Sequence, residues 1–252
     1  VFEWVSIFDF TLLQWILAVL CGIIIGFSKT GIGGMGILVV PIFAAMFGGK
    51  PSVGLVLPML CIADIFAVKY YNRHAKWNYV IKLLPWAFVG ILVGTLVGNE
   101  LPDIWFKRSI ALVVLASLGV MIWRDFGMKE QSIPDQWWFA ALLGLVAGFA
   151  TMIGNAAGPI MAVYLLAMHL PRHAYIGTGA WYFMIVNLSK VPFHVAVWGT
   201  ITWDTLAFNG LLIPAIVVGA LAGIWVIKRI PEKPFRFTII GFTALASFYL
   251  FF

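Results

Sequence analysis

Gly26-Phe27-Ser28-Lys29-Thr30-Gly31-Ile32-Gly33-Gly34-Met35-Gly36 interrupts an apolar run near the start of the chain. Gly148-Phe149-Ala150-Thr151-Met152-Ile153-Gly154-Asn155-Ala156-Ala157-Gly158 interrupts another in its second half. Laid side by side, Gly26 meets Gly148, Phe27 meets Phe149 and Gly36 meets Gly158, all at one offset. Gly-interrupted hydrophobic segments at corresponding places in two halves are the pattern of a transporter built from repeats, with its solute site at the interruptions.

Composition agrees with a membrane setting. The 252 residues are 63% hydrophobic and only 10% charged, and their mean hydropathy is +1.02. A soluble domain carries roughly 45–50% apolar and about 25% charged residues. Runs such as Ile110-Ala111-Leu112-Val113-Val114-Leu115-Ala116 lack the alternation that an outer-membrane barrel needs. The reading is an all-α integral membrane protein whose main partner is the lipid bilayer.

The net charge of +6 is not a nucleic-acid signal, because the basic residues lie mainly in short connections, where they orient a membrane protein. Cys21 and Cys61 sit within apolar segments and read as small buried hydrophobes rather than a disulfide pair. The start, Val1-Phe2-Glu3-Trp4, has no basic n-region, so no cleavable signal peptide is expected there.

About ten apolar segments are expected, five per half. They cover roughly 11–27, 36–47, 52–71, 80–98 and 104–123, then 136–153, 158–168, 174–192, 205–227 and 235–252. The division is an N-terminal repeat over 1–125, a polar linker over 126–135 and a C-terminal repeat over 136–252. The second segment of each half spans only ~16 Å as a helix, about half a bilayer. Segments one and two of each half are therefore expected to form a broken or re-entrant hairpin with its Gly-rich turn near the midplane. Non-helical backbone at that depth must be buried in protein or line a wet cavity. Trp77, Trp137, Trp138, Trp198 and Trp203 lie near segment ends, where their rings suit the headgroup region.

Charge gives the orientation. Lys69, Arg73, Lys76 and Lys82 cluster around the third-to-fourth connection of the first half, which should be cytoplasmic. The matching connection of the second half, about 193–204, holds His194 and Asp204 but no Lys or Arg and should lie outside. The fourth-to-fifth connections show the reverse contrast: the first half is balanced, and Lys228, Arg229, Lys233 and Arg236 stand against Glu232 in the second. Two inverted repeats follow, with both termini on the outer side and the linker in the cytoplasm.

The candidate site residues cluster at the breaks. A helix starting at Gly36 or at Gly158-Pro159 presents unpaired N–H groups, a natural anion cradle. The bland reading of the glycines is close helix packing, which suits Gly90, Gly94, Gly98, Gly219 and Gly223. Lys29, between Ser28 and Thr30, reads as a cationic donor to an anion or as a lysine that neutralises a nearby carboxylate. An ionised side chain at membrane depth usually has a pathway role or a partner. Asp64 lies mid-segment and reads as a proton site for coupling or as the counter-ion of Lys29 or Lys190. Asn187 sits at the near-equivalent place in the second half, with Lys190 one turn beyond it on the same side. The substrate set is thus Ser28, Lys29, Thr30, Gly33, Gly34, Gly36, Gly154, Asn155, Gly158, Asn187 and Lys190, with Asp64 as coupling or counter-ion. Thr178, Trp181 and Tyr182 are cavity-lining candidates, with aromatic packing the default for Trp181 and Tyr182. His74, His169, His173 and His194 form no ligand motif, so no metal, no cofactor and no enzymatic chemistry are expected. Partners are a small anion and, as a coupling ion, the proton.

The stretch Gly22-Ile23-Ile24-Ile25-Gly26-Phe27-Ser28-Lys29-Thr30-Gly31-Ile32-Gly33-Gly34, the following Pro41 and the second break resemble the TauE/SafE family of sulfite exporters, also described as sulfonate-uptake permeases. The resemblance runs from about 12 to 252. It implies an integral transporter of the bacterial inner membrane for sulfite, organosulfonates or other small sulfur-containing anions or acids, and a repeat of this kind is expected to work by alternating access around the midplane site. The family often has three successive glycines at each break. Here Met35 interrupts the first set and Asn155-Ala156-Ala157 replaces the second. An anion channel and a membrane-embedded enzyme are the rival classes.

Overall fold

The computed structural model describes residues 10–31, 35–127, 137–226, 240 and 243–250. They form helices α1 (Leu12–Thr30), α2 (Val39–Phe47, entered through a 3-10 turn at Met35–Leu38), α3 (Gly49–Tyr71), α4 (Trp77–Glu100), α5 (Asp103–Gly127), α6 (Trp137–Gly154), α7 (Gly158–Ala167), α8 (Arg172–Ala196) and α9 (Trp203–Val226). Residues 243–249 are also helical, and there is no strand among the described residues. Six of the helices (α1, α3, α4, α5, α6 and α9) are long and apolar enough to cross a membrane. Helix α8 is long enough but not among them; it carries Asn187, Ser189, Lys190 and His194.

Local signals explain the ends. Thr11 caps α1 by accepting from the Gln14 N–H at 3.3 Å, while the Gln14 side chain accepts from the Thr11 N–H at 2.9 Å, a reciprocal capping box. Gly48, at φ 92°, makes the reversal from α2 into α3 that a side-chain-bearing residue would resist. The first N–H of α3, on Gly49, is satisfied by Asp103 of α5 at 2.8 Å. Pro58, Pro85, Pro192 and Pro214 lie inside helices, where neighbouring helices can re-satisfy the freed carbonyls.

The interruptions are narrower than the sequence suggested. Helix α1 continues through Gly26 to Thr30, and α6 continues through Gly148 to Gly154. Gly26 and Gly148 are therefore helical packing positions. A methyl on Gly26 would run into the Ile216 carbonyl of α9, and one on Gly148 into the Ala87 carbonyl of α4. Gly219 and Gly90 answer from the other side, against the carbonyls of Ile23 and Leu145. The α1–α9 and α4–α6 pairs are the two most extensive helix contacts, and residues at matching offsets in the sequence make both. Pro85, Gly90 and Gly94 of α4 match Pro214, Gly219 and Gly223 of α9 at one offset, just as Ile23 and Gly26 match Leu145 and Gly148. Close approach of backbones through small residues is how apolar helices gain packing where lipid offers no hydrophobic drive.

Helix α3 is buried on nearly all sides and packs on α1, α2, α8 and α9. Large aliphatics such as Leu12, Leu96, Leu211 and Leu221 face outward, as a lipid-facing surface requires. Trp137 and Trp203 open their helices exposed, as expected of interfacial anchors, and Trp77 is partly exposed. Trp198 is a correction: it is buried, packs edge-on to Phe106 and donates to the Thr95 carbonyl at 3.2 Å. His194 is another, since it lies inside α8 rather than in the connection after it. The linker positions 128–136, the basic stretch 228–236 and the N-terminal nine residues fall outside the described set.

Candidate functional site

The site forms where α3 and α8 cross between the two interruptions. Asp64 stands in the middle of α3 with no exposed surface. An unpaired carboxylate there would be prohibitively costly, so its partners decide the local structure. Lys29, in the last turn of α1, places Nζ 2.7 Å from one Asp64 oxygen. Asn187 of α8 donates its side-chain amide to the other at 2.6 Å. The Lys29 ammonium also lies 4.3 Å from the centre of the Phe183 ring, on the face that attracts cations. Asp64 of α3 and Asn187 of α8 thus touch each other directly.

Lys190 follows Asn187 by one turn on the same face. It is fully buried, and its Nζ donates to the Thr151 carbonyl at 3.1 Å, Thr151 Oγ1 at 2.9 Å and Asn155 Oδ1 at 2.6 Å. Three oxygens match the three N–H groups of an ammonium. The Asn155 amide is oriented by its own donation to the Val53 carbonyl of α3 at 3.3 Å. Asn155 sits at φ 49°, and its N–H closes α6 on the Thr151 carbonyl at 3.0 Å, the left-handed cap that Asn tolerates in place of Gly. Ser117 of α5 holds the next carbonyl, on Ala156, at 2.9 Å. The second break is thus a defined turn whose side chain faces a buried cation.

Other expected residues are placed differently. Ser28 accepts from the Gly36 N–H at 2.9 Å, so that donor of the first interruption is already taken. Thr30 is buried and donates to the Ala220 carbonyl of α9 at 2.7 Å, which makes it a packing contact. Gly154 is buried against α5, and Gly158 opens α7 with Pro159 behind it. Gly33 and Gly34 lie outside the described residues. Thr178 accepts from the Lys76 N–H at 2.9 Å, Trp181 packs at a tilt against Trp77, and Tyr182 is fully buried. Lys29, Asp64 and Asn187 are therefore brought together, as are Lys190 and Asn155, while Ser28 and Thr30 serve the backbone.

Two contributors escaped the sequence reading. Thr151 takes the register position of Lys29 in the second break and supplies two of the three Lys190 acceptors. His194 continues the Asn187–Lys190 face by one more turn and is buried, with Nδ1 2.8 Å from Thr200 Oγ1. The spacing Asn187, Lys190, His194 is a helical stripe that was visible in the sequence. No group of three or more metal-ligating side chains occurs among the described residues.

Long apolar helices that enclose a lysine–carboxylate pair and a second, fully buried lysine define a multi-pass membrane protein with an ionic site inside its helix bundle. A family model described as sulfite exporter TauE/SafE matches residues 18–250. The chain belongs to the TauE/SafE sulfite exporter family of transmembrane transporters. No curated protein and no solved structure matches it.

Proposed function

We propose that this protein is a secondary transporter of a small anion, sulfite or a related sulfur oxyanion or organosulfonate, working by alternating access around a site at the bilayer midplane. The observation that carries the reading is a pair of lysines inside the bundle: Lys29, in the last turn of α1 and paired with Asp64, and fully buried Lys190 of α8, bonded to the Asn155 turn of the second interruption. Ionised groups inside a membrane bundle usually mark a solute or ion pathway. The family supplies the sulfur anions as the substrate class.

The architecture we infer is two inverted five-segment repeats, in which the first two segments of each half form a hairpin. Its support is the equivalence of the α1–α9 and α4–α6 contacts, made by residues at matching offsets. A two-fold relation that exchanges the halves also accounts for the direct contact of Asp64 with Asn187. In this reading Lys29, Lys190 and Asn155 line the anion site, the two lysines supplying its positive charge against Asp64. Movement of one half against the other exposes them to each side in turn.

The test is uptake of sulfite, thiosulfate and a short organosulfonate into liposomes holding the purified protein. Saturable flux with countertransport is expected, and Lys29→Ala should reduce it at least about tenfold, the effect of ~1.4 kcal/mol or more at the binding step. Non-saturating flux would identify a channel instead, and recovery of chemically altered substrate would identify an enzyme. Full activity of a folded Lys29→Ala protein would remove Lys29 from the site.

A further inference from the structure

The cluster carries more positive than negative charge, and this bears on which anion fits. Lys29 is matched by Asp64 at 2.7 Å. Among the described residues, Lys190 meets only neutral oxygens, from Thr151 and Asn155. Among the described residues, Asp64 is the one fully buried carboxylate. The ammonium of Lys190 is hydrogen-bonded but not neutralised, and hydrogen bonds do not cancel the cost of a net charge in a weakly polarisable interior. With both amines protonated, the two lysines against the one buried carboxylate among the described residues leave a single positive charge at the centre of the bundle.

Resting on the anion-transport reading above, we propose that this charge count makes the site selective for a monoanion, with Lys190 as its uncompensated cation and Asp64 as the residue that sets the valence. A monoanion drawn to Lys190 brings the buried cluster to neutrality. A dianion overshoots to a net negative charge and is disfavoured by the same electrostatics. Asp64 is a specificity-determining residue because it cancels Lys29; without it, the cluster holds two free positive charges and a dianion becomes the neutralising occupant. The alkylsulfonate and hydrogen sulfite ions have the required single charge, and sulfate does not. The geometry around Lys190 supports adaptation to an incoming oxyanion. The Asn155 amide sits on a half-buried turn, so its oxygen can yield its place on Nζ while the Thr151 contacts persist.

Methanesulfonate and sulfate test the rule, since they share an S–O face and differ in charge. Binding to the purified protein would be measured by calorimetry and confirmed by counterflow in liposomes. Wild type is expected to favour methanesulfonate by about tenfold or more, and Asp64→Asn to reverse the preference, because a surplus charge is weakly screened in the interior of the bundle. Lys190→Gln, with no net charge left, should lose affinity for both anions. The double variant Lys29→Gln/Asp64→Asn restores a single positive charge and should restore the methanesulfonate preference, which a merely structural role for Asp64 would not produce. Should Asp64→Asn alone fail to fold, the Lys190→Gln and double variants still decide the matter. An unchanged ratio in folded Asp64→Asn, or undiminished methanesulfonate binding by Lys190→Gln, overturns the charge rule while leaving transport intact. Binding of neither anion to wild type overturns the anion-transport reading and the rule with it.

Discussion

At the scale of single residues, Asp64 is held by contacts from three helices. Its own helix places it in the bundle centre, α1 brings Lys29 and α8 brings Asn187. Removing the lysine leaves a buried carboxylate without its counter-charge, which typically destabilises by ~3–5 kcal/mol. Lys29→Ala should therefore lower thermal stability in detergent, and Lys29→Ala/Asp64→Asn should recover most of the loss. Melting curves for the four members of that mutant cycle check it, and additivity of the two single effects would show that the pair does not interact. Cys61 offers a second probe. It lies one turn before Asp64 and is only partly buried. A small thiol reagent should label Cys61 in membranes, and saturating substrate should slow that labelling severalfold. Labelling indifferent to every transported anion would place the pathway elsewhere.

Among the helices, the glycines that looked like parts of a loop prove to be contact points between rods. Gly148 lies on the α4 backbone at Ala87, and Gly26 lies on the α9 backbone at Ile216. These approaches bring the ends of α1 and α6 in beside the site, so packing and function share the same helices. Gly148→Val should push α4 and α6 apart at a cost of about 1–3 kcal/mol, the usual range for overpacking. It is expected to lower the melting temperature more than Gly119→Val, since nothing lies within 4 Å of a methyl at Gly119. Equal effects of the two would mean that the contact carries no special weight. Helix α8 shows the complementary principle. Asn187, Lys190 and His194 are buried, while Leu188, Pro192 and Val195 are exposed. One face serves the polar centre and the other faces outward.

Across the whole molecule, the swapped contacts α1–α9 and α4–α6 tie the halves together rather than leaving each as a separate bundle. Inverted insertion makes a sharp forecast for the two third-to-fourth connections. A cysteine at His74 should react with an impermeant reagent only from the cytoplasmic side, and one at Val197 only from the outside, in a Cys21→Ser/Cys61→Ser background. Labelling of both from one face would rule out the inverted arrangement. A fold with such long-range helix exchange also implies that the first half cannot complete its packing until α6 and α9 have been made, since α4 and α1 wait for them.

Hydropathy alone determined that this chain is a helical membrane protein, because helices of these lengths and compositions have few other stable environments. The two interruptions, their common register and the polar residues near them were likewise legible, since glycine and isolated charge stand out against an apolar background. Tertiary structure decided which charges pair. The sequence left Asp64 open to either lysine, and the crossing of α1 with α3 gave it to Lys29. It also decided that Gly26 and Gly148 pack helices, that Ser28 closes the backbone at Gly36, and that Thr151 faces Lys190. Such assignments depend on distances between segments far apart in the chain. Spacing along one helix specifies a face, whereas the neighbour that meets that face is chosen by packing.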